Sequence, residues 1–371
     1  MREIELGEIA SYQNGYAFKP DDWSNKGLPI IRIQNLNDPG KDYNYYDGDD
    51  VDERYFVQDG DVLIAWSASL GVYVWNRGDA WLNQHTFKVN FENDEVDKSY
   101  FVYAIQEVLK KIENKLHGST MKHITKKKFL KLKIPLPSLS EQKAIVAKLD
   151  RAQRLIDIDK EMLAKYDALI QSVFLEMFGD PVTNPKGWER VPFKKLAEID
   201  KESFDPTDFK GSVEYVGLNS IVKDSGKIID VETITEGDVK SNKYRFSPDH
   251  ILYGKLRPYL NKVAFPDFNG ICSTDILPMQ AKEGISTKYF VGYLLKTKEF
   301  VNYADKNSSG ANLPRISPTM VKKFEAFLPP LKIQRKFDDL VNKIISEKHQ
   351  TAKASQKSEE LFSSLVQGAF G

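Results

Sequence analysis

Nine lysines fall within residues 110–133 against a single acid, Glu113. On a chain whose 53 basic and 53 acidic side chains cancel to a formal charge of zero, so dense a cationic stripe offers chemistry for phosphates, because ammonium groups displace condensed counterions. The same run would also suit a solvated face. Residues 38–61 carry the opposite bias, nine acids against Lys41 and Arg54, which restricts where a polyanion can lie.

Other residue types capable of catalysis or metal binding do not assemble into a motif. The five histidines, at 85, 117, 123, 250 and 349, form no metal-ligand spacing with Cys272 or with carboxylates. Ser225-Gly226-Lys227 lacks the upstream glycine of a phosphate loop, and neither GxGxxG nor GxSxG occurs. An Asn-Pro-Pro-aromatic methyltransferase motif and a nuclease carboxylate-lysine cluster are likewise missing. Cys272, alone, has no disulfide partner within the chain and reads as an inert buried thiol. Without an apolar run of about 20 residues or a signal-peptide h-region in MREIELGEIA, a cytoplasmic location and no membrane contact are expected.

The elements that must hold such groups come in a repeated order. Residues 1–134 are rich in aromatic and β-branched residues, and IIRI (30–33), DVLIAW (61–66), VYVW (72–75) and TFKV (86–89) read as short strands. Trp66, Trp75 and Trp81 read as core. Tyr100 to Leu116 has helical spacing. After the prolines of IPLPSLSEQ, with Ser140 as the expected N-cap, apolar residues recur at Ile145, Leu149, Ala152, Ile156, Leu163, Tyr166, Ile170, Val173 and Met177. That heptad seam predicts a coiled-coil helix of roughly 38 residues, ~57 Å long, ending at Gly179.

The plan then recurs. LAEI (196–199) echoes LGEI (6–9), YVGLNSI (215–221) echoes IRIQNL (31–36), and DHILYGKLRPYL (249–260) echoes DVLIAWSASL (61–70). Residues 118–179 align with 310–371 at a constant offset of 192, and 12 of those 62 positions are identical. Gly118/Gly310, Ile124/Ile316, Pro137/Pro329, Gln142/Gln334 and Phe178-Gly179/Phe370-Gly371 are among them. So long a period reads as two copies of a whole domain plus a helix, a covalent pseudo-dimer suited to a two-fold target. The second helix, about 333–369, is polar in its middle at Lys348, Thr351, Ser355 and Ser358. Such a helix is expected to pair antiparallel with the first and to offer its middle to another subunit. The fold class is therefore α+β, with two β-rich lobes (1–134 and 188–328), a proximal helix and linker (135–187) and a distal helix (329–371), and an internal pseudo-two-fold.

In this order the chain resembles the DNA-specificity subunit of type I restriction-modification systems. The resemblance covers nearly the whole chain. It rests on the Leu-Pro entries IPLPSLSEQKAIVAKLD and FLPPLKIQRKFDDL, the helix ends FGD and FG, GYAFK (15–19), GDVLIAWSASLG (60–71), and the paired GSTMKHIT (118–125) and GANLPRIS (310–317). Against a fuller family pattern, the chain begins directly in the first lobe, without an N-terminal helical segment, and stops after Phe370-Gly371. The resemblance implies that each lobe is a target-recognition domain reading one half of a bipartite double-stranded DNA site, with the helices as spacer. It implies as partners two methylation subunits using S-adenosylmethionine and a motor-nuclease restriction subunit using ATP and Mg. The chain itself would be a non-catalytic subunit with no cofactor of its own. Two readings from other classes stay open beside it: a self-contained restriction enzyme or methyltransferase, and a coiled-coil scaffold that binds protein.

Side chains with base-reading donors and acceptors, in loop-like contexts near the stripe, are the candidates for contact. In the first lobe these are Arg32, Gln34, Ser67, Ser69, Lys122, His123 and Lys126; in the second, Asn219, Lys255, Arg257, Tyr259, Asn312 and Arg315. Arg32 and Gln34 alternate with Ile31 and Ile33, which is equally the pattern of a strand's solvent face. His123 and Arg315 occupy equivalent places in the two Gly-led loops.

Overall fold

Val62–Ala65 is apolar at every position and buried at every position, so it has to be an interior strand with both faces covered. The computed structural model describes residues 2–371 except 68, 93, 116–123, 206–209 and 239–240, and only the backbone of 114 and 115. It divides into two compact units, Met1–Ile158 with Ser355–Gly371, and Asp159–Ala354.

Among the described residues of the first unit, Val62–Ala65 sits between Thr86–Phe91 and Gly71–Val74, with Ala10–Asn14 beyond Thr86–Phe91, all antiparallel. A second four-stranded sheet runs Asn44–Tyr46, Leu28–Ile31, Ala80–Leu82, Phe56–Val57 and contains one parallel pair, Leu28–Ile31 with Ala80–Leu82. Glu3–Glu5 pairs with Lys133–Pro135. The helix Lys98–Lys115 puts Tyr100, Phe101, Ala104 and Ile105 into the same core as Val62, Ile64, Phe87 and Phe129.

The second unit repeats this scheme. Glu189–Pro192 pairs with Glu325–Leu328. Ala197–Ile199, Ile276–Ala281, Ile251–Gly254 and Val263–Ala264 form an antiparallel sheet. The other sheet has five strands and again one parallel pair, Ser212–Val216 with Gly270–Cys272. Two helices, Lys288–Leu295 and Lys298–Lys306, replace the single one of the first unit. The break falls at Thr297, whose hydroxyl accepts the Phe300 amide hydrogen as an N-cap.

Two local expectations need correction. The 30–33 run is strand only to Ile31; Ile33–Asn37 is a short helix, since buried Asn35 accepts from the Arg32 amide (3.3 Å) and donates to the Lys41 and Asp42 carbonyls (3.1 Å each). A side chain that satisfies three backbone groups outweighs strand propensity here. LGEI (6–9) is helical, whereas within LAEI (196–199) Ala197–Ile199 is strand.

Each long helix has 40 residues, Leu139–Phe178 and Leu331–Phe370, at the 192-residue offset of the sequence repeat. Ser138, not Ser140, caps the first: its hydroxyl and amide both donate to Glu141, at 2.7 and 2.9 Å, in a capping box. At the other end Gly179 takes a left-handed φ of 83° and returns its amide to Leu175 O (2.8 Å). In the second unit the helices pair antiparallel. Phe178 meets Phe337 at a ring distance of 5.3 Å, and further along the Tyr166 hydroxyl meets the Thr351 hydroxyl at 3.2 Å beside the Lys348–Asp167 ion pair (2.6 Å). In the first unit, Leu149, Ile145 and Val146 share a core with Phe362, Leu365, Val366 and Phe370. The polar middle of the distal helix is not laid open as expected, since Thr351 and Ser355 are both buried. Among the described residues no helix is long and apolar enough to cross a membrane.

Candidate nucleic-acid interface

In the second unit, four of the candidates converge at the end of the strand Ile251–Gly254. The chain leaves Gly254 and is stitched to the 313–316 segment: Arg257 N donates to Pro314 O (2.7 Å), Ile316 N to Lys255 O (3.1 Å), and Leu256 bridges Arg315. Lys255, Arg257, Tyr259 and Arg315 are thereby neighbours although some sixty residues separate them in sequence. Arg257 and Asn261 flank the turn Pro258–Leu260 with φ of 51° and 49°, both left-handed. Holding non-glycine residues there costs on the order of 1–3 kcal/mol each, and the bond to Pro314 is part of what holds Arg257 in place. The turn presents Arg257 and Tyr259 to solvent, Tyr259 at 50 % exposure.

Asn312 lies exposed on the approach to Arg315. Asn219 is exposed on the turn after Ser212–Val216, and this turn is tied to the same strand end, because Lys262 donates to Leu218 O (2.7 Å) while its own carbonyl accepts from Gly254 N (2.9 Å). Burial lowers the Lys262 pKa.

Arg315 is not a free cation. Its Nε donates to Asp275 Oδ1 at 2.9 Å and its Nη2 to Oδ2 at 3.1 Å, with Lys255 Nζ 3.9 Å from Oδ1. These hydrogen bonds hold the Asp275 carboxyl below the ordinary carboxylate range, and the carboxylate raises the Arg315 pKa in turn. Sequence reasoning missed Asp275, because nothing local in CSTDIL marks an acid whose partner lies 40 residues on.

The first unit uses the same backbone device: Ile124 N donates to Trp66 O (3.2 Å) as Ile316 N does to Lys255 O. Ser69 reaches Asn37 (3.4 Å), the last residue of the helix Ile33–Asn37, and Tyr73 donates to the same Asn37 oxygen at 2.6 Å. Ser69 N donates to Ser67 O (2.7 Å), so both serines are linked to the short helix that carries exposed Gln34. Arg32 is half-buried over Trp23 (5.6 Å), and its Nε is buried without a hydrogen-bond partner. Lys126 is committed to the Tyr12 carbonyl (2.7 Å) and lies over Phe87. Lys122 and His123 lie outside the described residues.

Of the tryptophans, Trp75 is buried, whereas Trp66 and Trp81 are half-buried. Trp66 donates to Asn14 Oδ1 (3.2 Å) and stacks on Phe87. The first unit has a cavity of about 800 Å³ that includes Tyr73, Tyr103, Lys111 and Val366 in its lining but none of the candidates. The candidate surface is thus made of loops at strand ends, a geometry that suits a groove-reading protein better than a small-molecule site.

The profile of the type I restriction modification DNA specificity domain matches residues 1–165 and again 185–356. The chain belongs to this specificity family. It is 27 % identical over 263 residues, 65 % of its length, to the Type I restriction enzyme EcoBI specificity subunit of Escherichia coli, and 27 % identical over 269 residues, 63 % of its length, to the EcoDI specificity subunit of the same species. It spans 54 and 60 % of those relatives' own lengths. Against the MjaVIII specificity subunit of Methanocaldococcus jannaschii it is 22 % identical over 346 residues, 83 % of this chain and 79 % of that one. Two solved structures share the fold. The S subunit of a type I restriction-modification system from M. genitalium has a TM-score of 0.53 at 15 % identity, covering 100 % of this chain and 96 % of that one. A chain from a structure concerned with complex assembly and conformational transition of the type I R-M system has a TM-score of 0.60 at 16 % identity, covering 100 and 97 %. Each matched stretch contains one of the two loop junctions described above, Trp66 with Ile124 in the first and Lys255 with Ile316 in the second.

Proposed function

We propose that this chain is the sequence-reading subunit of a type I restriction-modification assembly. Each lobe reads one half of a bipartite double-stranded DNA site through its strand-end loops, and the long helices set the separation of the halves and dock two methylation subunits. Methyl transfer from S-adenosylmethionine, and ATP- and Mg-dependent translocation and cleavage by a motor-nuclease subunit, belong to those partners; this chain contributes recognition, in the cytoplasm. The observation that carries the reading is the paired backbone bond, Ile124 to Trp66 and Ile316 to Lys255, which builds one loop junction twice in a chain whose family profile also matches twice. Docking on the helices is supported by apolar residues they leave in solvent. Leu155 and Ile158 do so in the first unit, Met162 and Leu169 in the second, and large apolar side chains at heptad-like steps suit a partner helix.

The test is a binding titration of duplex DNA carrying the host's modified sequence, with and without the methylation subunits. Sequence-specific, salt-dependent binding by the assembly is expected, with no methyl transfer from labelled S-adenosylmethionine when this chain is the only protein. Methylation by the chain alone would contradict the reading.

A further inference from the structure

Asp275 grips Arg315 from the side. Docking through Nε and Nη2, at 2.9 and 3.1 Å, uses the Nε–H and one Nη2–H of the five guanidinium donors and leaves the end-on edge, one N–H from each of Nη1 and Nη2, for another pair of acceptors. Nη1 makes one further bond, at 3.3 Å, to the Leu313 carbonyl, and with two hydrogens it keeps one to spare. The Arg315 side chain is 41 % exposed against 25 % for Asp275. The guanidinium side chain is thus more exposed than the carboxylate that holds it.

Two coplanar N–H groups match the O6 and N7 acceptors of guanine in the major groove, whereas adenine sets a donor against one of them. An arginine already fixed by a carboxylate has given up its rotamer freedom before DNA arrives. A released guanidinium would settle on the nearest phosphate, which carries no sequence information. Resting on the reading of the second lobe as a DNA-recognition domain, we propose that Arg315 reads a guanine of that lobe's half-site end-on, and that Asp275 is the positioning residue that fixes the guanidinium for it.

Among the described residues the arrangement belongs to one lobe. Where Lys255 N donates to Asp275 O at 2.9 Å, the first unit has Trp66 N donating to His85 O at 3.4 Å. With His85 and Trp66 in place of Asp275 and Lys255, the first lobe has no carboxylate at this place among the described residues. It serves as an internal control.

The experiment uses the assembly of this chain with its methylation subunits and duplexes in which each guanine of the second half-site is replaced in turn by 7-deazaguanine, which lacks N7 but pairs normally. One replacement should weaken wild-type binding by about tenfold or more, the discrimination of a bidentate contact. Arg315→Ala should abolish that penalty. Asp275→Asn, and Arg315→Lys, which keeps the charge but not the fork, should cut it to below about threefold while the affinity of Asp275→Asn for unrelated DNA rises as a negative charge is removed. Unchanged penalties in the first half-site and a cooperative unfolding transition, lowered only slightly by loss of the ion pair, exclude misfolding as the cause. A full penalty retained in Asp275→Asn overturns the positioning role, and no guanine responding to Arg315→Ala overturns the contact. If exchange of the whole second lobe leaves its half-site unaltered, the underlying recognition reading has failed instead.

Discussion

Gln142 and Gln334, 192 residues apart and both fully buried, make the same three hydrogen bonds. Gln142 accepts from Asp97 N (2.8 Å) and donates to Glu95 O and Pro137 O (2.9 Å each). Gln334 accepts from Thr287 N (3.0 Å) and donates to Ile285 O (3.2 Å) and Pro329 O (2.8 Å). Each amide locks the first turn of a long helix to the segment that opens the globular helix of its own unit. The sequence repeat is thus a repeat of a helix-to-lobe joint.

Because both glutamine side chains are fully buried, deleting either amide removes three hydrogen bonds at once and leaves a hole at the joint. Gln142→Ala or Gln334→Ala should destabilise its unit by about 2–4 kcal/mol. Urea unfolding of the two variants measures it, and similar losses are expected from both.

Phe174 is 1 % exposed and packs against Phe178, Phe290, Phe327 and Phe337. Truncating a ring in so enclosed a cluster should cost about 3–5 kcal/mol. A clear fall in the melting temperature of Phe174→Ala is expected, while Leu155→Ala, on an exposed position of the same helix, should leave it nearly unchanged.

Burial pushes the Cys272 thiol up to about 12. Since the folded state keeps the proton that an unfolded thiol loses near pH 8.5, its contribution to stability is constant below that value and declines as pH rises from there towards the folded pKa. Cys272 should accordingly resist a thiol reagent at pH 8 in the folded protein and react fully in denaturant. The Asp275 carboxyl works in the opposite sense: held low by Arg315, it stays ionised as pH falls below the ordinary carboxylate value, so its stabilising contribution is present at neutral pH and lost only in stronger acid. Recognition of the second half-site should be flat from pH 8 to about 5.5.

The first long helix was legible in sequence because an apolar seam sustained over many turns fits a long packed helix and little else; the second, polar in its middle, was legible through the repeat, and both helices end at the repeated Phe-Gly. The 31–36 run was not, since IRIQNL alternates like a strand until the tertiary bonds of Asn35 decide for helix. At the candidate site, residue type was enough to mark Lys255, Arg257 and Arg315, but it could not show that they share a junction or that Asp275 holds Arg315. Those relations arise from strand ends meeting across the fold. Lys126 shows the converse: its charge suggested phosphate, and its ammonium is bound to the Tyr12 carbonyl.

Substituting Lys122, His123 and Lys126 together by alanine should weaken DNA binding by the assembly and flatten its salt dependence, by roughly 0.9 in the logarithmic slope for each phosphate no longer neutralised. An unchanged slope would assign the segment to a solvated face or a protein interface.

The central claim is that the two lobes read separate halves of one DNA site, and exchange of a lobe tests it most directly. Residues 188–328 would be replaced by the corresponding lobe of another member of the family, the hybrid assembled with its methylation subunits, and the methylated bases mapped by sequencing. The expected outcome is a methylated site with one half changed and the other half, and the spacing between them, retained. Changes in both halves, or in neither, would contradict it.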